Sequence, residues 1–228
     1  MTSLRVVSLV PSVTETLSAW GAPPIACTRF CERPDLPHVG GTKDPDVARI
    51  VALHPDLVVV DEEENRREDA DALADAGLQL HVTAVRSLDD VPPTLRALAA
   101  ATGATFRELP VAYTDNSRKF ARGTAFVPIW RRPWMTINRD TYGSTLLVAA
   151  GITNVFADAP DRYPTIELDD AVARRPDIVL APSEPYPFGE RHRRELETVA
   201  PVTYVDGRDL FWWGVRTPAA LARLSRLR

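Results

Sequence analysis

The sequence predicts an α/β protein with two Rossmann-like lobes, whose mostly parallel sheets are joined by a bridging helix. Two observations lead to this prediction. Short runs of β-branched residues alternate with helical patterns along the chain, as they do in successive βα units. A pattern ending in Pro-Asp and an apolar run also occurs twice, over 47–60 and again from 168 onward. Such a repeat indicates two similar lobes with a cleft between them.

The first lobe is predicted to span residues 1–86. Its strands are expected over 6–10, 25–28, 57–60 and 78–82, because each of these runs is apolar and bounded by turn residues. Three helices are expected between them: one opened by a capping box at Ser12 and stopped by Gly21, one capped by Asp44 with Pro45 at its first position, and one from Asn65 to Ala76.

The second lobe, residues 123–228, is predicted to repeat the first. Trp134–Ile137 is expected to be its opening strand, and the capped run Asp140–Ala150 its first helix. Pro176-Asp177 then takes the place that Pro55-Asp56 holds in the first lobe. The two lobes therefore have the same predicted order of elements.

Residues 87–122 are the predicted connection between the lobes. Apolar residues at helical spacing predict a bridging helix that ends at Gly103, with two prolines in its first turn, where a missing N–H costs little. The continuation to Phe120 is polar, so the bridging helix is expected to be short.

The composition excludes several classes of protein. A length of 228 residues with 45% hydrophobic and 25% charged residues is typical of one large or two small globular domains. The formal net charge of -4 leaves no basic surface for nucleic acid. No apolar run approaches the roughly 20 residues that a membrane-spanning helix needs.

The first residues of the chain lead directly into the first predicted strand and contain no secretion signal. The chain as written is therefore predicted to be cytoplasmic. The alternative is an extracytoplasmic protein whose leader has been removed.

Ligands of parallel sheets collect where the strands end, so the loops after the strands are the expected binding site. Four of the five tryptophans fall in these loops, beside arginines and carboxylates. Aromatic faces next to charged groups favour a large, flat, partly polar ligand. The candidate ligand-binding residues are Ser12, Arg29, Phe30, Cys31, Glu63 and Arg86 in the first lobe, and Trp130, Trp134, Tyr163, Tyr186, Trp212 and Trp213 in the second.

Some of these candidates have a purely structural alternative. Trp212 and Trp213 are also suited to packing over a sheet edge, and Glu62–Glu64 to a solvated helix start. The chain has no phosphate-binding glycine loop, no G-x-S-x-G motif and no pair of histidines at metal-ligand spacing. Neither catalytic residues nor a protein-borne metal site are therefore predicted.

Five segments in order along the chain carry a resemblance to a known family. They are R-V-V-S-L-V-P-S-V-T-E-T-L from Arg5, T-R-F-C-E-R-P from Thr28, V-G-G-T-K-D-P-D from Val39, P-D-L-V-V-V-D-E-E-E-N-R-R-E-D from Pro55 and W-R-R-P-W-M-T-I-N-R-D-T-Y from Trp130. With them the chain resembles the class III periplasmic-binding-protein-like family, the helical backbone metal receptors, in its cobalamin-binding branch.

The resemblance implies a two-lobed monomer that has no intrinsic cofactor. It implies that the ligand is cobalamin or another metal chelate, held between the lobes and delivered to an ABC permease. It also implies that Phe30, Trp134, Tyr163 and one of Trp212 and Trp213 contact a corrin ring. The chain departs from the family in its acidic Glu62–Glu64, where cobalamin binders have a tryptophan, in its shorter bridge and in the absence of an export signal.

The predicted function is thus non-catalytic binding of a metal chelate, with a corrinoid placed ahead of a ferric siderophore. One alternative is a cytoplasmic enzyme or metallochaperone that uses Cys31 as a thiolate and Glu62–Glu64 as acid–base groups. Another is an interaction module that has kept the fold and lost the ligand.

Overall fold

The computed structural model describes residues 4–110 and 123–227, which fall into two compact units. The first unit holds the residues up to Val85, Asp90–Leu109 and Gly214–Arg216. The second holds Arg86–Asp89, the stretch that ends at Trp213, and the residues from Thr217 onward. Each unit contains a four-stranded parallel sheet with helices between its strands, which confirms the predicted α/β class.

The sheet of the first unit has the strand order β2-β1-β3-β4, and all its strands are parallel. Beneath it lies a core that includes Val7, Ile50, Val58 and Leu73. The strands are β1 (Val6–Ser8), β2 (Ala26–Cys27), β3 (Leu57–Asp61) and β4 (Leu80–Thr83), and the helices are α1 (Pro11–Ala19), α2 (Val47–Ala52), α3 (Arg67–Asp75) and α4 (Val91–Thr102).

The second unit contains a parallel sheet of order β10-β9-β5-β7 and a separate antiparallel pair, β6 with β8. Its strands are β5 (Gly123–Phe126), β6 (Trp134–Met135), β7 (Ile152–Asn154), β8 (Thr165–Ile166), β9 (Ile178–Pro182) and β10 (Val202–Val205). Its helices are α5 (Tyr142–Ala149), α6 (Leu168–Ala173), α7 (Arg193–Leu196), α8 (Gly207–Phe211) and α9 (Thr217–Leu224).

The two sheets repeat each other in detail. Read from the opposite edge, the order β7-β5-β9-β10 matches β2-β1-β3-β4. Asp56 Oδ2 accepts the backbone N–H of Arg5 at 2.7 Å, and Asp177 Oδ2 accepts that of Thr124 at 2.7 Å. The repeated Pro-Asp pair therefore makes the same contact in each unit, joining the start of the first strand to the start of the third.

The predicted opening strand of the second lobe is wrong. Gly123–Phe126 occupies the place of β1, whereas Trp134–Met135 belongs to the antiparallel pair. The true strand has no β-branched run, since its residues are Gly, Thr, Ala and Phe. Its strand conformation is determined instead by pairing with β7 and β9 on its two sides, and by the complete burial of Ala125 and Phe126.

Two helix starts also differ from the prediction. Helix α1 begins at Pro11 without a side-chain cap, because the fixed φ of proline suits the first helical position, and Ser12 is already inside the first turn. Helix α2 is capped by Asp46, whose Oδ1 accepts the N–H of Arg49 at 3.0 Å. The expected cap, Asp44, is paired instead with Arg29.

Helix α4 matches the first part of the predicted bridge. It ends at Gly103, whose φ of +69° is the left-handed conformation that glycine adopts without strain. Residues 111–122 of the bridge lie outside the described residues, so the boundaries 1–86, 87–122 and 123–228 stay a prediction. No helix within 4–110 or 123–227 has the length and apolar character needed to cross a membrane.

A short segment late in the chain, Gly214–Arg216, belongs to the first unit. The Arg216 side chain donates to both carboxylate oxygens of Glu15, at 3.1 and 2.6 Å. The Val215 N–H donates to Thr16 Oγ1 at 3.3 Å. The first unit is therefore completed by three residues that lie far from the rest of it in sequence.

Candidate functional site

The loop after β3 is organised by the buried carboxylate of Asp61. Its Oδ1 accepts the backbone N–H groups of Glu63 and Glu64 at 2.9 and 3.3 Å. Its Oδ2 accepts the Thr83 hydroxyl at 2.7 Å. Burial raises the pKa of Asp61, and these hydrogen bonds oppose that rise. The acidic loop is thus held in one conformation at the carboxyl end of the sheet.

Asn65 connects this loop to two others. Its Oδ1 accepts the Asp61 N–H at 2.8 Å, and its Nδ2 donates to the carbonyls of Leu9 and Thr42 at 3.3 and 2.9 Å. Lys43 adds a bond from its Nζ to the Glu63 carbonyl. The loops after β1, β2 and β3 are therefore fixed to one another through a single buried amide.

The loop after β2 presents an aromatic ring with a cation on it. The Arg29 guanidinium lies 4.8 Å from the centre of the Phe30 ring and forms two bonds to Asp44, at 3.0 and 2.9 Å. Phe30 is 53% exposed. This loop offers a flat apolar face with a paired charge at its edge.

Cys31 lies behind this face and is buried. Its Sγ lies 3.3 Å from Thr14 Oγ1 and 3.4 Å from Thr28 Oγ1. The neighbouring Cys27 thiol, followed by the two hydroxyls, lowers the pKa of Cys31 to about 6, although burial opposes the shift. The Cys31 thiol and burial raise the pKa of Cys27.

In the second unit, aromatic side chains cluster in the loops after β5 and β9. The Trp130 ring meets Tyr186 edge-on, with centroids 5.5 Å apart. Tyr186 packs on Phe188 at 4.7 Å, and Phe188 stacks in parallel on Trp134 at 6.0 Å. Trp130 is 44% exposed whereas Trp134 is buried in the core. The cluster therefore runs from the surface into the core, with Trp130 at its outer end.

His192 is buried, and its ring packs edge-on against Tyr186 and Phe188 of this cluster. Its Nδ1 accepts the Gly189 N–H at 3.1 Å, and its Nε2 lies 3.3 Å from the Tyr186 hydroxyl. Burial, helped by the nearby Arg191 and Arg131, lowers the pKa of His192. The ring therefore favours its neutral form, in which one nitrogen accepts and the other donates.

The candidate residues fall into three groups. Phe30, Trp130 and Tyr163, exposed by 53%, 44% and 38%, are the exposed aromatic side chains of the described residues, and each lies in a loop after a parallel strand. The structure brings Arg29 onto Phe30, and Tyr186 onto Trp130. Arg86 is exposed and Glu63 half-buried, whereas Ser12, Cys31, Trp134, Trp212 and Trp213 are buried.

Four residues that shape these loops were not among the candidates: Asp61, Asn65, Phe188 and His192. Asp61 carries a readable signal, because an Asp at the end of a strand favours a turn closed by its own side chain, whereas Asn65 is defined by distant contacts with Leu9 and Thr42. Phe188 and His192 contact each other and Tyr186 within one loop, and Phe188 also stacks on Trp134 from a distant part of the chain, a contact that no local pattern marks. Within the described ranges, no group of three or more His, Cys, Asp or Glu side chains is arranged to hold a metal ion.

Comparisons with known proteins all lead to periplasmic binding proteins. A family model described as periplasmic binding protein matches residues 6–190. The vitamin B12-binding protein of Pectobacterium carotovorum subsp. carotovorum is 26% identical over 198 residues, covering 79% of this chain and 72% of that protein.

Solved structures have the same fold. The periplasmic vitamin B12 binding protein BtuF of Vibrio cholerae superposes with a TM-score of 0.76 at 18% identity, covering 98% of this chain and 95% of that one. The periplasmic heme-binding protein RhuT from Roseiflexus sp. RS-1 superposes with a TM-score of 0.77 at 23% identity, covering 98% of this chain and 97% of that one. At these identities the likeness establishes the fold alone.

These findings correct one prediction and confirm others. The predicted cytoplasmic location is wrong, because the matching family and the structural neighbours are periplasmic. The resemblance to class III binding proteins and the absence of an enzymatic role are confirmed by the same matches, so the enzyme or metallochaperone alternative is not favoured. Since the family model covers well over half of the sequence, the chain belongs to the periplasmic binding protein family.

Proposed function

We propose that this protein binds a corrinoid or a related metal macrocycle through the aromatic faces of its strand-end loops. The observation that carries the proposal is the position of Phe30, Trp130 and Tyr163, exposed in loops after β2, β5 and β7. Covering one such face removes on the order of 100 Å² of apolar surface from water, which contributes about 2 kcal/mol. Relatives named as vitamin B12-binding proteins support a corrinoid ligand.

The carboxylates of the loop after β3 favour a corrinoid over haem or a ferric siderophore. Glu62–Glu64 place carboxylates at the end of β3, and the Asp61 turn holds their backbone in one conformation. Carboxylates repel the propionates of haem and the anionic groups of many ferric siderophores. Corrinoids carry mainly neutral amides, which accept and donate hydrogen bonds without this repulsion. We therefore expect corrinoids to bind more tightly than anionic chelates.

Titration of the purified protein with cobalamin, cobinamide, haem and a ferric siderophore panel tests this order of affinity. We expect saturable binding of a corrinoid and weaker or undetectable binding of the anionic chelates. The absence of saturable binding to any member of the panel would exclude the proposed function. Tight haem binding with no corrinoid binding would exclude the charge argument alone.

Alanine substitutions at the three exposed rings test the site itself. Phe30→Ala, Trp130→Ala and Tyr163→Ala should each weaken corrinoid binding by about tenfold or more, since about 1.4 kcal/mol corresponds to a factor of ten. The matched control is Val172→Ala, which removes an exposed apolar side chain from α6, outside the strand-end loops. Equal effects at all four positions would contradict the assignment.

We also propose that the loaded protein acts as a monomer and delivers its ligand to an ABC permease. The support is membership in the periplasmic binding protein family. Light scattering should give the mass of one chain with and without ligand. A permease and ATPase pair encoded beside this protein should hydrolyse ATP faster when the loaded protein is added.

A further inference from the structure

Both cysteines of the chain lie together in the first unit. Cys27 is the last residue of β2, and its backbone is fixed by the N–H bond to Pro37 O at 3.0 Å and by the Val39 N–H at 2.9 Å. Cys31 closes the following turn with its N–H on Thr28 O at 3.1 Å. Both thiols are free, and each shifts the pKa of the other. A thiol at the end of a fixed strand and a thiol on the turn that follows it are therefore neighbours.

The two sulfurs have different surroundings. Cys27 is fully buried, which favours the neutral thiol. Cys31 is 6% exposed, its Sγ donates to the Thr14 hydroxyl at 3.3 Å, and it lies 3.4 Å from the Thr28 hydroxyl. These contacts and the Cys27 thiol lower the pKa of Cys31 to about 6. A cysteine that serves only to fill a core has no such set of donors and is inert.

We propose that Cys31 reacts with small hydroperoxides and that Cys27 then resolves it into an intramolecular disulfide. In the first step the Cys31 thiolate attacks the terminal peroxide oxygen, the S–O bond forms, the O–O bond breaks, and hydroxide leaves from hydrogen peroxide or an alkoxide from an organic hydroperoxide. The sulfur is oxidised to a sulfenic acid while the peroxide is reduced. In the second step the Cys27 sulfur attacks the sulfenic sulfur, the S–S bond forms, and water leaves with the Cys27 proton.

The burial of the pair selects the oxidant. A small hydroperoxide is the oxidant best suited to a residue that is only 6% exposed, whereas a protein disulfide is too large to approach it. The residues between the two cysteines include Arg29 and Phe30, so the disulfide tightens the loop that carries the exposed ring. The thiol chemistry stands independently of the ligand, because it is measured on the protein alone.

Treatment of the reduced, ligand-free protein with hydrogen peroxide tests the proposal. We expect the intact mass to fall by two hydrogen atoms and both thiols to become unreactive to Ellman's reagent in denaturant. Cys27→Ser should stop at the sulfenic acid, which dimedone traps, and Cys31→Ser should keep its remaining thiol. A wild-type protein that retains both thiols, or oxidises Cys31 without forming the disulfide, overturns the proposal. So does a Cys31→Ser protein that reacts at the wild-type rate.

A further variant covers the case in which a cysteine substitution prevents folding. Thr14→Val replaces a hydroxyl beside Cys31 with a methyl group of similar size and leaves both sulfurs in place. We expect its peroxide reaction to be several-fold slower near pH 6 and closer to the wild-type rate at pH 8, because the thiolate then forms at higher pH. Equal rates at both pH values contradict the role of the hydroxyl.

Discussion

At the scale of single residues, Asp61 determines the conformation of the acidic loop. Its carboxylate is buried at the end of β3, where it accepts hydrogen bonds from two backbone N–H groups and one hydroxyl. Burial and these hydrogen bonds act on the charge in opposite directions. The structural role of Asp61 is therefore to accept these three hydrogen bonds.

This role predicts different outcomes for two substitutions. Asp61→Ala leaves the N–H groups of Glu63 and Glu64 without their acceptor and should lower the free energy of unfolding by about 2 kcal/mol. Asp61→Asn keeps one oxygen in place and relieves the burial of charge, so it should cost clearly less. Urea unfolding of the two variants and the wild type measures the difference, and equal losses would contradict the role as acceptor.

The sequence pointed to the three exposed rings but not to the buried residues that fix the loops. Phe30, Trp130 and Tyr163 follow strands, and a loop position is readable from local pattern. Trp134, Trp212 and Trp213 were also expected in strand-end loops but are buried, since Trp134 lies in β6 and the other two directly follow α8. Asn65 is defined by contacts with Leu9 and Thr42, which no local pattern contains.

At the scale of elements, the close approach of α5 and α8 depends on Gly143. A Cβ at this position would lie 2.8 Å from the backbone oxygen of Leu210, closer than real Cβ atoms come to backbone. The neighbour is main chain and cannot rotate away. The spacing between these two helices is therefore set by the absence of a side chain.

Gly143→Ala should destabilise the protein by about 1–3 kcal/mol, since the clash exceeds the helix propensity gained by alanine. Gly189→Ala is the matched control, because nothing lies within 4 Å of its Cβ position and its backbone is extended. We expect thermal unfolding to show a lower Tm for the first variant and a value close to wild type for the second. A similar decrease in both would show that the loss does not come from the helix contact.

Elements were predicted well where the local signal was strong and poorly where tertiary contacts decide. Helix α4 ends at Gly103 as expected, because its apolar spacing and its terminal glycine agree. Strand β5 was missed because Gly123–Phe126 lacks β-branched runs and is defined by its neighbours. The cap of α2 was placed two residues early, since Asp44 and Asp46 are equivalent in sequence and only the Arg29 contact separates them.

At the scale of the whole molecule, the repeat makes the two units comparable at matched positions. Asp56 and Asp177 each accept a backbone N–H from the start of the first strand in their own sheet, both at 2.7 Å. They occupy the same place in two sheets of the same strand order. The same substitution is therefore expected to remove the same backbone contact twice, and at Asp177 also the bond from the Thr124 hydroxyl at 2.8 Å.

Asp56→Ala and Asp177→Ala should each lower the free energy of unfolding by about 1 kcal/mol, and the double variant by the sum, because the sites share no partner. Denaturant unfolding of the four proteins measures this. Asp169→Ala, which removes a carboxylate from the first turn of α6, serves as a surface control. A double variant that loses much more than the sum would contradict the independence of the two contacts.

The fold class and the family could be predicted because their signals are spread along the chain. The Pro-Asp repeat and the five motifs each fall in a different part of the sequence, so they support one another. The location was predicted wrongly because it depended on the first few residues alone. Ligand identity is the least accessible property, since it depends on how separate loops combine.

The inclusion of Gly214–Arg216 in the first unit has a consequence for the order of events during synthesis. The ribosome delivers Glu15 and Thr16 early, but their partners Arg216 and Val215 only after about 200 further residues. At about 5–20 residues per second, the stretch after Leu109 takes about 5–20 s to emerge. During this interval the Glu15 carboxylate of the nascent first unit lacks its contact with Arg216. The contacts of Glu15 and Thr16 with Arg216 and Val215 therefore form late in translation, when most of the second unit has already been made.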